Sequence, residues 1–138
     1  MTSRQRELST PFNGHIMRNQ IIIIDDDKAV RSSLCAFLDS TGFSVNPFAS
    51  AMQFLRTGSL SLTCCIIVDM HMPEMSGIEF LELMHETHPS VPVVLISGNI
   101  SASLRARATR AGAKAVFEKP FDQDGLLNIL GTFCPNNA

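Results

Sequence analysis

Four consecutive isoleucines, Ile21, Ile22, Ile23 and Ile24, constrain the fold of this chain more than any other feature. Branching at Cβ favours extended backbone. The run also lacks the apolar–polar alternation of a strand with one wet face. A strand of this kind is buried on both sides, as in the interior of a parallel sheet. Directly after it come Asp25, Asp26 and Asp27, so the chain steps at once from its most apolar stretch to its most acidic.

The same alternation recurs to the C-terminus. Residues 28–41 place Val30, Leu34, Phe37, Leu38 and Thr41 on one helical face, and Gly42 follows as a stop. Residues 43–48 form a weaker strand, and Asn46-Pro47 inside it predicts a sheet edge. Ser50 caps a short helix running through Arg56 to a stop at Gly58. Further strands are expected over 63–68, 91–96 and 113–118. Helices are expected over 77–88, with Ile78, Leu81 and Met84 inward, and over 101–111, with Leu104, Ala108 and Ala111 inward. Asp122 caps a last helix carrying Leu126, Leu127, Leu130 and Phe133. Five strands alternating with five helices specify an α/β fold with a doubly wound parallel sheet, because parallel neighbours need crossover helices.

A chain of 138 residues fits one domain, expected over 20–135, with an extension over 1–19 and a tail over 136–138; Met17 is an alternative start. The formal net charge of −2 gives no electrostatic footprint for nucleic acid. No apolar run approaches the length of a membrane span or a secretory signal, so the expected location is cytoplasmic. Cys35, Cys64, Cys65 and Cys134 show no metal-type spacing and are read as small core residues, with Cys64 and Cys65 on opposite faces of one strand.

In doubly wound sheets the working site lies beyond the carboxyl ends of the strands. That rule gathers Asp25, Asp26, Asp27, Asp69, Ser97 and Lys119 on one rim. Asp27 is better placed as a helix N-cap for Lys28 onward. Two carboxylates about 4 Å apart repel by roughly 4 kcal/mol at an effective dielectric near 20, so the cluster requires a cation or a retained proton. A hard divalent ion such as Mg²⁺ suits oxygen ligands of this kind. Lys119 adds a point charge for a phosphoryl oxygen, Ser97 a hydroxyl, and Gly98 room for a bulky anion. A carboxylate so placed can attack a phosphoryl donor and form an aspartyl phosphate.

Four segments, in order, resemble the response-regulator receiver family: the strand and acidic pair in 21–27, the loop Asp69-Met70-His71-Met72-Pro73-Glu74-Met75-Ser76-Gly77, Leu95-Ile96-Ser97-Gly98, and Glu118-Lys119-Pro120-Phe121. The resemblance covers residues 20–135 and implies a flavodoxin-like strand order 2-1-3-4-5. It implies Asp69 as phosphoacceptor, with Asp26, Asp69 and the backbone carbonyl of His71 as direct Mg²⁺ ligands and Asp25 acting through water. Ser97 and Lys119 would contact the phosphoryl group, and Lys119–Pro120 is often cis in the family. His71 and Asn99 stand at the positions that tune phosphoryl lifetime.

The implied role is a phosphorelay switch rather than an enzyme with a separate substrate. It would be phosphorylated by a histidine kinase or phosphotransfer protein and act on an output partner the sequence does not identify; a homodimer is compatible with it. One departure is that Val116 stands where receivers often carry an aromatic, which is displaced to Phe117 on the other face of the strand. Rival readings are a haloacid-dehalogenase-type phosphohydrolase, opposed by His71 where that family has a second aspartate, and a receiver-like module that is never phosphorylated. Glu82 and His85, like Arg105, Arg107 and Arg110, read as solvated helix flanks.

Overall fold

The computed structural model describes residues 18–135; the expectations for the N-terminal extension, its alternative start at Met17 and the 136–138 tail fall largely or wholly outside them. The chain runs β1 (Gln20–Ile24), α1 (Lys28–Ser40), β2 (Ser44–Phe48), α2 (Ala51–Thr57), β3 (Thr63–Asp69), α3 (Gly77–Thr87), β4 (Val93–Ser97), α4 (Ala102–Arg110), β5 (Ala115–Glu118) and α5 (Gln123–Phe133). All four strand pairings are parallel, in the order β2-β1-β3-β4-β5. This is the flavodoxin-like arrangement expected from the sequence. Pro47 lies on the edge strand β2, where its missing N–H costs no ladder bond.

The apolar runs of β1, β3 and β4 are buried because helices cover both sheet faces. Ile22, Ile24, Ile66, Val68 and Leu95 pack with Phe54 of α2, Ile78, Phe80, Leu81 and Met84 of α3 and Ala108 of α4. Ile21, Ile23, Ile67, Val94 and Ile96 pack with Leu34 and Leu38 of α1 and Leu126 and Leu130 of α5. Phe80, which the helical periodicity did not single out, is fully buried and meets Phe54 edge-on at 6.1 Å.

Helix ends follow the capping residues. Asp27 accepts from the amides of Ala29 and Val30, confirming it as the α1 cap. Ser50, Ser101 and Asp122 cap α2, α4 and α5. Ser76 and Glu79 form a reciprocal capping box at α3. Gly42 and Gly112 adopt positive φ, 95° and 88°, where the chain turns back toward the sheet after α1 and α4. Among the described residues no helix is long and apolar enough to cross a membrane.

The cysteine expectation needs correction. Cys64 and Cys134 form a disulfide, leaving only Cys35 and Cys65 as free thiols. Cys64 and Cys65 also do not separate onto opposite faces, since both belong to the cluster beneath α1 and α5. The cause is a register shift: Gln20 pairs with Thr63 but Ile21 with Cys65, so Cys64 is the extra residue of a bulge. A bulge breaks the strict side-chain alternation that the sequence argument assumed.

Two substitutions separate packing from capping. Phe80→Ala should cost about 3–5 kcal/mol of stability in urea unfolding, whereas Ser76→Ala should cost about 1 kcal/mol. Equal effects of the two would contradict the core assigned here.

Candidate functional site

The carboxyl ends of β1 and β3 lie side by side because Ile24 pairs with Val68. This brings Asp25 and Asp69 together, both buried and flanked by the exposed Asp26. One carboxylate oxygen from each of the three lies within 4.8 Å of the others. From the far side of β4, Lys119 reaches across. Its Nζ stands 2.7 Å from Asp69 Oδ1 and 3.3 Å from Asp25 Oδ2. The backbone bond from Lys119 N to Ser97 O, 2.8 Å, fixes the base of that lysine, and the Lys119–Pro120 peptide is cis.

The second oxygen of each buried carboxylate accepts from a backbone amide. Asp25 Oδ1 accepts from the Asp27 amide at 2.9 Å, and Asp69 Oδ2 accepts from the His71 amide at 3.2 Å. The Ser97 hydroxyl is buried, but it donates to Asn99 O at 3.1 Å and accepts from Asn99 N at 3.3 Å. Ser97 is thus beside the carboxylates in the fold while its hydroxyl is turned onto its own loop. Gly98 is exposed, and a Cβ there would meet nothing within 4 Å, so the space beside it is open. Beyond Asp69 the mouth of the site opens into a cleft of about 450 Å³ lined by Asp26, Met70, His71, Met72, Pro73 and Ser76.

One contributor escaped the sequence reading. Arg31, one turn into α1, donates from Nη1 to the Asp25 carbonyl at 2.7 Å and holds the acidic turn against the helix. An arginine four residues after an N-cap looks like any solvated flank, so the sequence carries no signal for it. Gly77 opens α3 with its Cα against the Asp69 carbonyl, where a side chain would collide, while its amide donates to Met70 O at 2.8 Å. Glu74, in the same loop, holds φ at 68°, and the Met75 amide closes on Pro73 O at 2.8 Å.

Electrostatics match this crowding. Burial pushes the Asp25 carboxyl above the ordinary carboxylate range; the Asp69 charge adds to this, and the Asp27 amide and Lys119 only partly offset it. Burial pulls Lys119 down, but the hydrogen bond to Asp69 and the charges of Asp25 and Asp69 outweigh it and hold the ammonium above its ordinary value. The donor set is all oxygen and anionic, which fits a hard divalent cation.

Glu82, read as a solvated flank, is exposed and pairs through both oxygens with the exposed Arg107 at 2.8 and 2.9 Å, joining α3 to α4. Met70, Met72 and Met75 pack against the core beneath α2–α4. Val116 faces that same cluster and Phe117 the opposite one, so no aromatic occupies the side of β5 nearest α4.

Asp25 should make the metal-free protein pH-sensitive. Its folded form holds a proton more tightly than the unfolded chain does, so its contribution to stability declines as pH rises from the ordinary carboxylate range through its elevated value. Asp25→Asn should flatten that slope in chelator and make the protein more stable at neutral pH. An unchanged slope in pH-dependent urea unfolding would contradict this assignment.

Comparison with known proteins agrees with the geometry. A model of the response regulator receiver domain matches residues 21–131. The response regulator protein TodT of Pseudomonas putida is 38% identical over 110 residues, which are 80% of this chain and 48% of TodT. The transcriptional regulatory protein FixJ of Bradyrhizobium diazoefficiens is 37% identical over 113 residues, 82% of this chain and 55% of FixJ. The chain therefore spans about half the length of these curated relatives. Among solved structures, the response regulator StyR superposes with a TM-score of 0.75 at 34% identity, covering 83% of this chain and 58% of StyR. The BeF3-activated DrrB receiver domain superposes with a TM-score of 0.75 at 26% identity, covering 85% and 97%. Motifs, fold and relatives agree, and the chain belongs to the response-regulator receiver family of two-component signal transduction.

Proposed function

We propose that Asp69 is the phosphoacceptor of this receiver and that Mg²⁺-dependent phosphorylation by a histidine kinase or phosphotransfer protein switches its affinity for an output partner. The observation that carries this reading is the buried Asp69 carboxylate, gripped by Lys119 at 2.7 Å and crowded by two further carboxylates. A carboxylate at this rim can attack phosphorus, and the adjacent Lys119 ammonium is a charge that can stabilise the transferring phosphoryl group.

In the transfer, an Asp69 oxygen forms a bond to phosphorus as the donor's P–N bond breaks, and the electron pair leaves with the donor imidazole. Asp26, Asp69 and the His71 carbonyl would hold Mg²⁺ directly and Asp25 through water. The ion supplies charge neutralisation on the transferring phosphoryl group. Lys119, already on Asp69 Oδ1, is placed to follow the charge onto a phosphoryl oxygen. Ser97 must give up its bonds to Asn99 before its hydroxyl can donate there. That rotation is a local event which can bias a larger one. With Val116 rather than an aromatic beside α4, the output movement differs from receivers in which a ring swings inward.

The switch works in the cytoplasm, as a binding partner rather than as an enzyme with its own substrate. Its net charge of −2 leaves DNA contact, if any, to another domain or protein.

Intact-mass spectrometry after incubation with acetyl phosphate should show one added phosphoryl group with Mg²⁺ and none with chelator. Asp69→Asn should abolish the gain, and His71→Ala should change only its lifetime. A normal gain on Asp69→Asn would sink the assignment. Absence of any gain, together with failure to bind beryllofluoride, would favour an interaction module that is never phosphorylated.

A further inference from the structure

The Cys64–Cys134 disulfide plays no part in the phosphoryl chemistry. Cys64 lies at the opposite end of β3 from Asp69, about 17 Å of strand away. Cys134 is the C-cap of α5, where the backbone leaves the helix in an extended conformation. The bond closes a 70-residue separation with the Cα atoms 5.3 Å apart. It is made possible by the bulge that turns Cys64 toward α5. A protein phosphorylated in the cytoplasm, as proposed above and on which this inference rests, meets a reducing thiol pool, where disulfides are transient or redox-sensing rather than permanent.

The surroundings accommodate both oxidation states. Cys64 Sγ lies 3.3 Å from the Gln20 carbonyl, so a reduced thiol there has an acceptor waiting. Both sulfurs otherwise sit in apolar packing, which a thiol tolerates as a small hydrophobe. The two cysteines are equally buried and differ in what must open to expose them. Cys64 lies in a strand with neighbours on both sides. Cys134 follows the last turn of a helix and is held there by its amide bond to Leu130 O at 2.8 Å; helix ends open locally at small cost. The remaining cysteines do not compete equally: Cys65 is fully buried and its thiol is pushed up to about 12, and burial also raises Cys35.

We propose that Cys64 and Cys134 form a reversible thiol–disulfide exchange site, with low-molecular-weight disulfides and thiols of the glutathione class as co-reactants, that latches the C-terminal end of α5 to β3. In oxidation, the Cys134 thiolate attacks a glutathione disulfide, forms a mixed disulfide and releases one glutathione thiolate. The Cys64 thiolate then attacks the Cys134 sulfur, forms the intramolecular bond and releases the second. Two protein thiols lose their protons and two electrons, and two glutathione thiols are made. Reduction reverses both steps. What the latch controls is the direction in which the chain leaves α5. Leu126 and Leu130 remain buried and keep the rest of that helix on the sheet in either state.

The test equilibrates the 138-residue protein in glutathione buffers from fully reduced to fully oxidised, quenches exchange with acid, then alkylates under denaturing conditions and maps free thiols by mass. Two modified cysteines, Cys35 and Cys65, are expected at the oxidised end and four at the reduced end. Cys64 and Cys134 should change together and reversibly. The oxidised form should melt roughly 10 °C higher. Cys134→Ala should melt like the reduced form in every buffer; should it fail to fold, the wild-type titration decides alone. Four free thiols at every ratio would overturn the proposal, as would a bond that resists excess dithiol in the native state. Acetyl phosphate labelling of the same samples keeps the two readings apart. Normal labelling with an inert pair refutes only the latch, and a reversible pair without labelling refutes only the phosphoacceptor.

Discussion

The ammonium of Lys119 between the carboxylates of Asp25 and Asp69 is the interaction on which the site depends. Burying two carboxylates at adjacent strand ends is costly unless a cation shares the space. The lysine belongs to β5's end, Asp25 to β1's and Asp69 to β3's, so the contact forms only when all three strands are in register. Formation of the sheet and assembly of the pocket are therefore one event. The pairing is also incomplete, since one ammonium faces three carboxylates and Asp25 stays harder to ionise than an ordinary aspartate. That residual charge imbalance is what a bound cation would relieve.

Much of this was legible in the residues. An unalternating isoleucine run can be buried only between two helical layers, and the strand–helix alternation then forces a parallel sheet with its site at the carboxyl rim. Asp25, Asp69 and Lys119 follow from that rule because each directly follows or ends an apolar strand. What was not legible depends on atoms rather than on order along the chain. The bond from Arg31 to the Asp25 carbonyl needs a particular rotamer of an ordinary flank residue. The Cys64 bulge breaks the side-chain alternation that sequence reasoning must assume, and the disulfide depends on that bulge. The turn of Ser97 toward Asn99, away from the carboxylates, is likewise a side-chain torsion that no motif encodes.

The structure divides labour along the strands. At the carboxyl ends lie charge, oxygen donors and an open cleft; at the amino end of β3, packed against the end of α5, lies sulfur chemistry in apolar surroundings. Between them the fully buried stretch Ile66, Ile67 and Val68 keeps the two ends apart. On the α4 side, the Glu82–Arg107 pair ties α3 to α4 where Val116 leaves less bulk than an aromatic would. Movement of α4 must work against that pair, which is exposed and correspondingly weak.

The central claim is that the Asp25, Asp26 and Asp69 carboxylates form a divalent-cation pocket around the phosphoacceptor. Titration of ¹⁵N-labelled protein with Mg²⁺, followed by amide NMR, tests it most directly. The account predicts saturable shifts concentrated at Asp25, Asp26, Asp69, His71 and Lys119. Shifts absent at millimolar Mg²⁺, or centred elsewhere on the molecule, would contradict it.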